Sequence, residues 1–340
     1  MPEKPAPSPT PAANDFPVVG VGASAGGMEA LTRLLEKLPA NTGMAFVLVQ
    51  HLDPTHESIL AALLSKISAL PVAEASDGVR VEPGHVYVIP PNRDMTLADG
   101  HLRLEKRTAP RGRHMPIDSF FRSLAEVQGS HAIGVVLSGT GSDGTLGVQA
   151  IKAEGGITCA QEPKSAKHDG MPASAIATGC VDFVLTPENI ALEILRLDGH
   201  PYLKIPRQET ELAAPPADDA QLKRIFLLLK RATNVDFTFY RHSTIQRRIA
   251  RRMLVHKCDT LDNYVGLLNE KPEEIHALYQ DILIKVTRFF RDPEVFDFLK
   301  QTIFPEFLKN RPPICRSASG FRVARPVRKC IRSRSACSNS

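Results

Sequence analysis

Three residues of this chain have the types and settings that nucleophilic catalysis needs. Ser24, His51 and Asp143 each stand just beyond an apolar run that reads as a β-strand. A serine hydroxyl attacks well only when a base takes its proton, and a histidine base needs a carboxylate to hold its tautomer and stabilise the imidazolium. Ser24 lies in Gly22-Ala23-Ser24-Ala25-Gly26, which fits the G-x-S-x-G pattern of a serine raised on a sharp strand-to-helix turn. At the start of the following helix, the Ala25 N–H would face an oxyanion. His51 follows the run Met44 to Val49, and Asp143 lies in Gly139-Thr140-Gly141-Ser142-Asp143-Gly144 after the run Ala132 to Ser138.

Each signal has a plainer alternative. A glycine turn before a helix is often only a tight connection, a lone histidine is often structural, and Asp-Gly often marks a turn or a cap. Gly20-x-Gly22 also opens a dinucleotide fingerprint, but Ala25 stands at the third glycine position and the next strand ends in Gln50-His51 where an acid is required. A phosphate-binding loop would need Gly-Lys-Ser/Thr, which does not follow. The chain order Ser…His…Asp also speaks against the α/β-hydrolase fold, whose order is Ser…Asp…His.

The elements that must position these residues read as alternating strands and helices. Val18 to Gly22 is a strand, Met28 to Leu35 a helix, Met44 to Val49 a strand and Glu57 to Ile67 a helix. Val86 to Ile89 and Leu97 to Leu104 read as short strands and a hairpin near Asp99-Gly100. Ile117 to Val127 is a helix, Ala132 to Ser138 a buried strand and Thr145 to Glu154 a helix; Gly156 to Ala160 and Val181 to Leu185 add two short strands. The expected architecture is α/β, a doubly wound, mostly parallel sheet, which places all three residues on one rim.

Composition bounds the rest. The chain has 340 residues, enough for two domains, and 43% are hydrophobic. No run approaches the ~18 apolar residues of a membrane span, and no signal peptide opens the chain. Its proline-rich start, residues 1–15, is expected to be disordered. Six cysteines are scattered without metal spacing, which suggests a reducing cytoplasm and no metal. The net charge of +5 is misleading: residues 311–340 hold eight Lys/Arg and no acid, so the remainder has 34 basic against 37 acidic residues, a balance of −3. Nucleic-acid binding is therefore not expected.

Taken together, Gly22-Ala23-Ser24-Ala25-Gly26-Gly27, Gln50-His51, Gly84-His85-Val86-Tyr87-Val88-Ile89-Pro90-Pro91, Leu137-Ser138-Gly139-Thr140-Gly141-Ser142-Asp143-Gly144 and Gly170-Met171-Pro172 resemble the catalytic domain of CheB-type protein-glutamate methylesterases, over residues 16–198. The resemblance implies Ser24 as nucleophile, His51 as general base, Asp143 as its orienting carboxylate and Ala25 at the oxyanion. The reaction needs no cofactor, and its substrate would be a methylated chemotaxis-type receptor or another signalling protein, acted on without membrane insertion. Where this family carries a methionine near the oxyanion, this chain has Thr140. Its usual N-terminal receiver domain, which gates the esterase, is expected to be absent.

Residues 199–218 read as a linker, and residues 219–310 as a small all-α domain. Its helices are marked by Leu222, Ile225, Phe226 and Leu229, then by Thr244 to Val255, Leu261 to Asn269, Pro272 to Val286 and Val295 to Leu308. Thr244-Ile245-Gln246-Arg247-Arg248-Ile249-Ala250-Arg251-Arg252-Met253 and Val286-Thr287-Arg288-Phe289-Phe290-Arg291 resemble the N-terminal helical subdomain of CheR-type receptor methyltransferases. That implies Thr287 and Arg291 as S-adenosylmethionine-binding residues, and Arg247, Arg248, Arg251 and Arg252 as a face for acidic receptor helices. The plainer reading of such a helix is solvated charge.

The cofactor strand and glycine loop that should follow are missing after Pro313. Residues 311–340 show no apolar period. From Arg316 onward, permitted codons read one base earlier spell that missing strand and loop, so a truncation or one-nucleotide frameshift near residue 314 is expected. Two other functions remain open: a methyltransferase using S-adenosylmethionine, and a non-catalytic signalling scaffold.

Overall fold

The computed structural model describes residues 14–51, 59–107, 115–204, 219–238, 240 and 242–283. Its centre is strand β1 (Val18–Ala23), in which every residue is buried. The alternation of a strand sends Val19, Val21 and Ala23 into one hydrophobic layer and Val18 into the other. An apolar run with both faces buried is what a strand in the middle of a covered parallel sheet requires.

From β1 the chain winds twice. Helix α1 (Gly27–Leu35) leads to β2 (Ala45–Gln50), then come α2 (Leu60–Leu64) and the short strands β3 (Val72–Glu74), β4 (Val79–Arg80) and β5 (Val86–Val88). The hairpin β6 (Arg93–Ala98) and β7 (His101–Lys106) turns at Asp99-Gly100, both with positive φ. Helix α3 (Pro116–Gln128) crosses back to β8 (Ala132–Val136), followed by α4 (Thr145–Ala153), β9 (Ile157–Gln161), α5 (Gly170–Ala177), β10 (Phe183–Leu185) and α6 (Pro187–Leu197). Helices α5 and α6 lie outside the elements expected from sequence.

The main sheet has seven strands in the order β10-β9-β8-β1-β2-β5-β3, and every pair in it is parallel. The antiparallel strands form a separate sheet, β4-β7-β6. Helices α1 and α6 bury Leu31, Leu34, Ile190 and Ile194 against one face of the main sheet; α3 and α4 bury Phe120, Phe121, Leu124, Val148 and Ile151 against the other. Strand order reverses around β1, so the carboxyl ends of β8, β1 and β2 meet at a topological switch point, where α/β sheets open a crevice.

Beyond residue 218 the described chain is helical: α7 (Asp219–Thr233), α8 (His242–His256), α9 (Leu261–Glu270) and α10 (Pro272–Leu283). Their own core includes Leu222, Ile225, Phe226, Leu229, Ile249, Tyr264 and Leu278, which matches the expected face of the first helix. The described residues fall in one compact unit that reaches Thr287. The helix expected over Val295 to Leu308 and the tail 311–340 lie outside the described residues.

Candidate active site

Parallel pairing builds the site. Ala23 lies beside Gln50 and Gly22 beside Val136, so Ser24 and His51 are the next residues off two adjacent strands. The His51 N–H donates to Ala23 O at 3.4 Å and the Ser24 N–H to Ser138 O at 2.9 Å, which fixes the three strand ends together. The turn after Ser24 reverses at Gly26, whose φ of +74° suits glycine. On the far side, a Cβ on Gly139 would sit 2.9 Å from the Ser24 Cβ and 2.1 Å from the Met171 Sδ; only a glycine lets that loop lie against the nucleophile.

The three expected catalytic residues come together. Ser24 Oγ lies 3.0 Å from His51 Nδ1, and His51 Nε2 lies 2.8 Å from Asp143 Oδ2. For Nδ1 to accept the serine proton, the neutral ring must carry its proton on Nε2, where the carboxylate accepts it. Asp143 is 2% exposed and well held. Its Oδ1 accepts N–H groups of Asp118 and Gly144, both at 2.9 Å, and its Oδ2 also accepts the Ile117 N–H at 3.0 Å. Two of these donors belong to the first turn of α3, so the carboxylate caps that helix and gains from its dipole. Asp118 in turn accepts the Gly147 N–H of α4 at 2.7 Å. Burial, with the charge of Asp143 adding, pushes the Asp118 carboxyl above its ordinary range.

Around Ser24 the main chain is largely committed. The Ser24 N–H is used by Ser138, and Ser24 O accepts the Gly27 N–H at 2.8 Å. The Ala25 N–H makes no hydrogen bond among the described residues, which leaves it free for an oxyanion. Thr140 is exposed on the loop beyond Gly139. Sequence reasoning gave no role to Ser138, which precedes the glycine-rich loop; its hydroxyl donates to Ala25 O at 2.9 Å and accepts the His168 N–H at 3.0 Å.

The arginine-rich face expected to meet receptor helices is not presented outward. Arg248, Arg251 and Arg252 are 4%, 0% and 8% exposed. Arg248 donates to the Lys152 and Ala153 carbonyls at 3.2 and 2.6 Å, at the carboxyl end of α4. Arg251 donates to Gly156 O at 3.0 Å and pairs with Asp182 and with Asp281 at 2.8 Å, and Lys152 lies 3.4 Å from Asp281. Arg252 pairs with Glu274, which also takes the Tyr264 hydroxyl at 2.8 Å. Arg247 is half-buried over Gly155. The helix therefore docks on the amino ends of β9 and β10, away from the triad, because buried carboxylates and helix carbonyls claim its cations. Thr287 and Arg291, expected to bind S-adenosylmethionine, lie outside the described residues.

Residues 19–194 match the family model for the CheB methylesterase, and residues 220–283 that for the all-alpha domain of the CheR methyltransferase. The chain is 39% identical over 267 residues, 72% of its length, to an uncharacterized 104.1 kDa protein of Rhodobacter capsulatus, and spans 27% of that protein. It is 41% identical over 172 residues to a protein-glutamate methylesterase/protein-glutamine glutaminase of Myxococcus xanthus, covering 49% of this chain and 50% of that one. The crystal structure of the Thermotoga maritima CheB methylesterase catalytic domain superposes with a TM-score of 0.50 at 33% identity, over 54% of this chain and 98% of that chain. The chain thus spans half or less of these two relatives, yet takes in nearly the whole of the solved catalytic domain. With the family model matched across more than half its residues and the serine, histidine and aspartate joined at the strand ends, the chain belongs to the CheB methylesterase family.

Proposed function

We propose that this chain hydrolyses the methyl esters of glutamate side chains on a chemotaxis-type receptor or a similar signalling protein. The observation that carries this reading is the hydrogen-bonded line Ser24 Oγ, His51 Nδ1, His51 Nε2, Asp143 Oδ2. Ser24 Oγ adds to the ester carbonyl carbon as His51 takes its proton, and the carbonyl oxygen becomes an oxyanion facing the Ala25 N–H. Collapse breaks the bond to the methoxy oxygen, which takes the proton from His51 and leaves as methanol. Water then adds to the acyl carbon with His51 again as base. The second collapse breaks the bond to Oγ, which recovers the proton, and a glutamate side chain is released.

Asp143 holds the tautomer and stabilises the imidazolium throughout. The M. xanthus relative is named a protein-glutamine glutaminase as well, and in this chain the same acyl-enzyme would form from a glutamine side chain with ammonia leaving. The described cysteines, Cys159, Cys180 and Cys258, are free thiols, which supports a cytoplasmic setting. No helix among the described residues is long and apolar enough to cross a membrane.

The test is methanol release from methyl-esterified receptor helices, with ammonia followed in parallel. Ser24→Ala should lose roughly 10³-fold or more in turnover. Equal release from both chains would overturn the esterase reading, and a scaffold would then be favoured.

A further inference from the structure

We propose, on the basis of the esterase reading, that Ser138 is a positioning residue: its hydroxyl holds the Ala25–Gly26 peptide and, through the turn that the Gly27 N–H closes on Ser24 O, the neighbouring peptide that presents the oxyanion-facing Ala25 N–H. Two peptide planes flank the Ala25 Cα. The first, between Ser24 and Ala25, is held because Ser24 O accepts the Gly27 N–H at 2.8 Å; planarity of the trans peptide then points the Ala25 N–H the opposite way. The second, between Ala25 and Gly26, has its carbonyl on the Ser138 hydroxyl at 2.9 Å. Without that bond the second plane is free to turn at Gly26, a residue already in the left-handed region and the most permissive in the turn.

Ser138 is itself anchored on every side. It is 1% exposed. Its carbonyl accepts the Ser24 N–H at 2.9 Å, and its own N–H donates to Gln161 Oε1 at 2.8 Å, with the Gln161 amide held by Ser165 O at 3.0 Å. Its hydroxyl accepts the His168 N–H at 3.0 Å while donating to Ala25 O. A hydroxyl has one proton and two lone pairs; the proton has two acceptors in reach, Ala25 O at 2.9 Å and His168 O at 3.2 Å, and the shorter contact is the one to the turn. A Cβ placed on Gly26 would stand 2.7 Å from that hydroxyl, a measure of how closely the clamp follows the turn. Among the described residues the hydrogen bonds of Ser138 run to Ala25, His168, Gln161 and Ser24 and not to His51 or Asp143, so the clamp acts on the oxyanion side of the site.

The full chain, Ser138→Ala and Ser138→Cys are compared with 4-nitrophenyl acetate as substrate, and intact sites are counted by stoichiometric labelling of Ser24 with a fluorophosphonate. Counting sites removes any fraction lost to misfolding, so the rate per site reports positioning and not stability. Ser138→Ala should lower kcat per labelled site about 10- to 100-fold, with KM changed less than about threefold and the midpoint of the pH–rate profile unmoved. Ser138→Cys keeps the volume but hydrogen-bonds weakly, and should fall between the two. If Ser138→Ala yields labelled sites that turn over within about threefold of the unaltered chain, or Ser138→Cys falls below Ser138→Ala, the proposal is overturned. If Ser138→Ala yields no sites to label, Ser138→Cys decides in the same way. Failure of the unaltered chain to label at Ser24 and turn over sinks the esterase reading itself, and this proposal with it.

Discussion

The two rims of the main sheet hold buried aspartates in opposite electrical company. At the carboxyl rim, Asp143 is met by three backbone N–H groups and an imidazole whose side chain is 31% exposed. At the amino rim, Asp182 is fully buried against Arg251, with Lys152 3.7 Å away and the Thr158 hydroxyl at 2.9 Å. The Coulomb attraction of Arg251 and Lys152 overcomes the burial of Asp182 and holds its carboxyl below the ordinary range. Dipoles hold a carboxylate in place without cancelling its charge, so Asp143 keeps a whole negative charge with which to stabilise an imidazolium on His51. A carboxylate already neutralised by full cations has nothing left to offer a transient charge; Asp182 clasps two parts of the chain together.

Asp143→Asn should have the largest effect. The amide oxygen keeps two of the N–H donors at best, and the amide NH₂ must then face His51 Nε2. That nitrogen becomes an acceptor, the ring proton moves to Nδ1, and Nδ1 no longer takes the proton of Ser24. Turnover per site should fall roughly 10⁴-fold, read with the small ester. A fall under about tenfold would mean that Asp143 serves as a helix cap and no more.

At the other rim, Arg251→Met removes the cation that joins Asp182 and Asp281, leaving Lys152 near both and Arg252 3.8 Å from Asp281. The cost should be about 3–5 kcal/mol in chemical denaturation, with the turnover of the small ester per labelled site unchanged. A loss of turnover per site without a loss of stability would show that the two rims communicate.

Acid sharpens the same contrast. Burial disfavours the charge of Glu274, yet hydrogen bonds from His256 and Arg252, with the charge of Arg252, hold its carboxyl down to about 2 against an ordinary 4.5. The folded value is depressed, so this stability is complete above pH 4.5 and is lost as pH falls through that value towards 2. It amounts to about 3 kcal/mol. Melting temperature followed from pH 6 to pH 2 should drop less steeply in Glu274→Gln than in the unaltered chain. Parallel curves would remove Glu274 from the clasp.

Much of the carboxyl rim was legible because local chemistry announces it: glycines around a serine after an apolar run, a histidine one residue beyond a strand, an aspartate in a glycine loop. Parallel pairing does the rest, since it sets strand ends side by side. The amino rim was not legible. Arg248, Arg251 and Arg252 share a helix face by their spacing, but spacing is silent on whether that face meets water. Their acidic partners lie 22 to 69 residues away in sequence, at the start of a strand and on another helix. Ser138 escaped notice for a related reason, because a positioning hydroxyl carries no motif of its own and is recognised only by what it touches.

The smallest predicted effect tests whether the carboxyl rim works by dipoles throughout. Asp118 accepts the Gly147 N–H at the start of α4, and its carboxyl is raised chiefly by burial and further by Asp143. A carboxyl whose folded value is raised binds its proton more tightly when folded, so its ionisation costs stability as pH rises above the ordinary carboxyl range. Asp118→Asn keeps an acceptor oxygen for Gly147 and removes that cost. At pH 7 the variant should be as stable as the unaltered chain or more stable by under about 1 kcal/mol, with the difference shrinking as pH falls. Asp118→Ala, which leaves the Gly147 N–H without its acceptor, should instead lose about 1–3 kcal/mol. A clear loss in Asp118→Asn at pH 7 would mean that the charge itself holds α4, and the two rims would then differ in degree and not in kind.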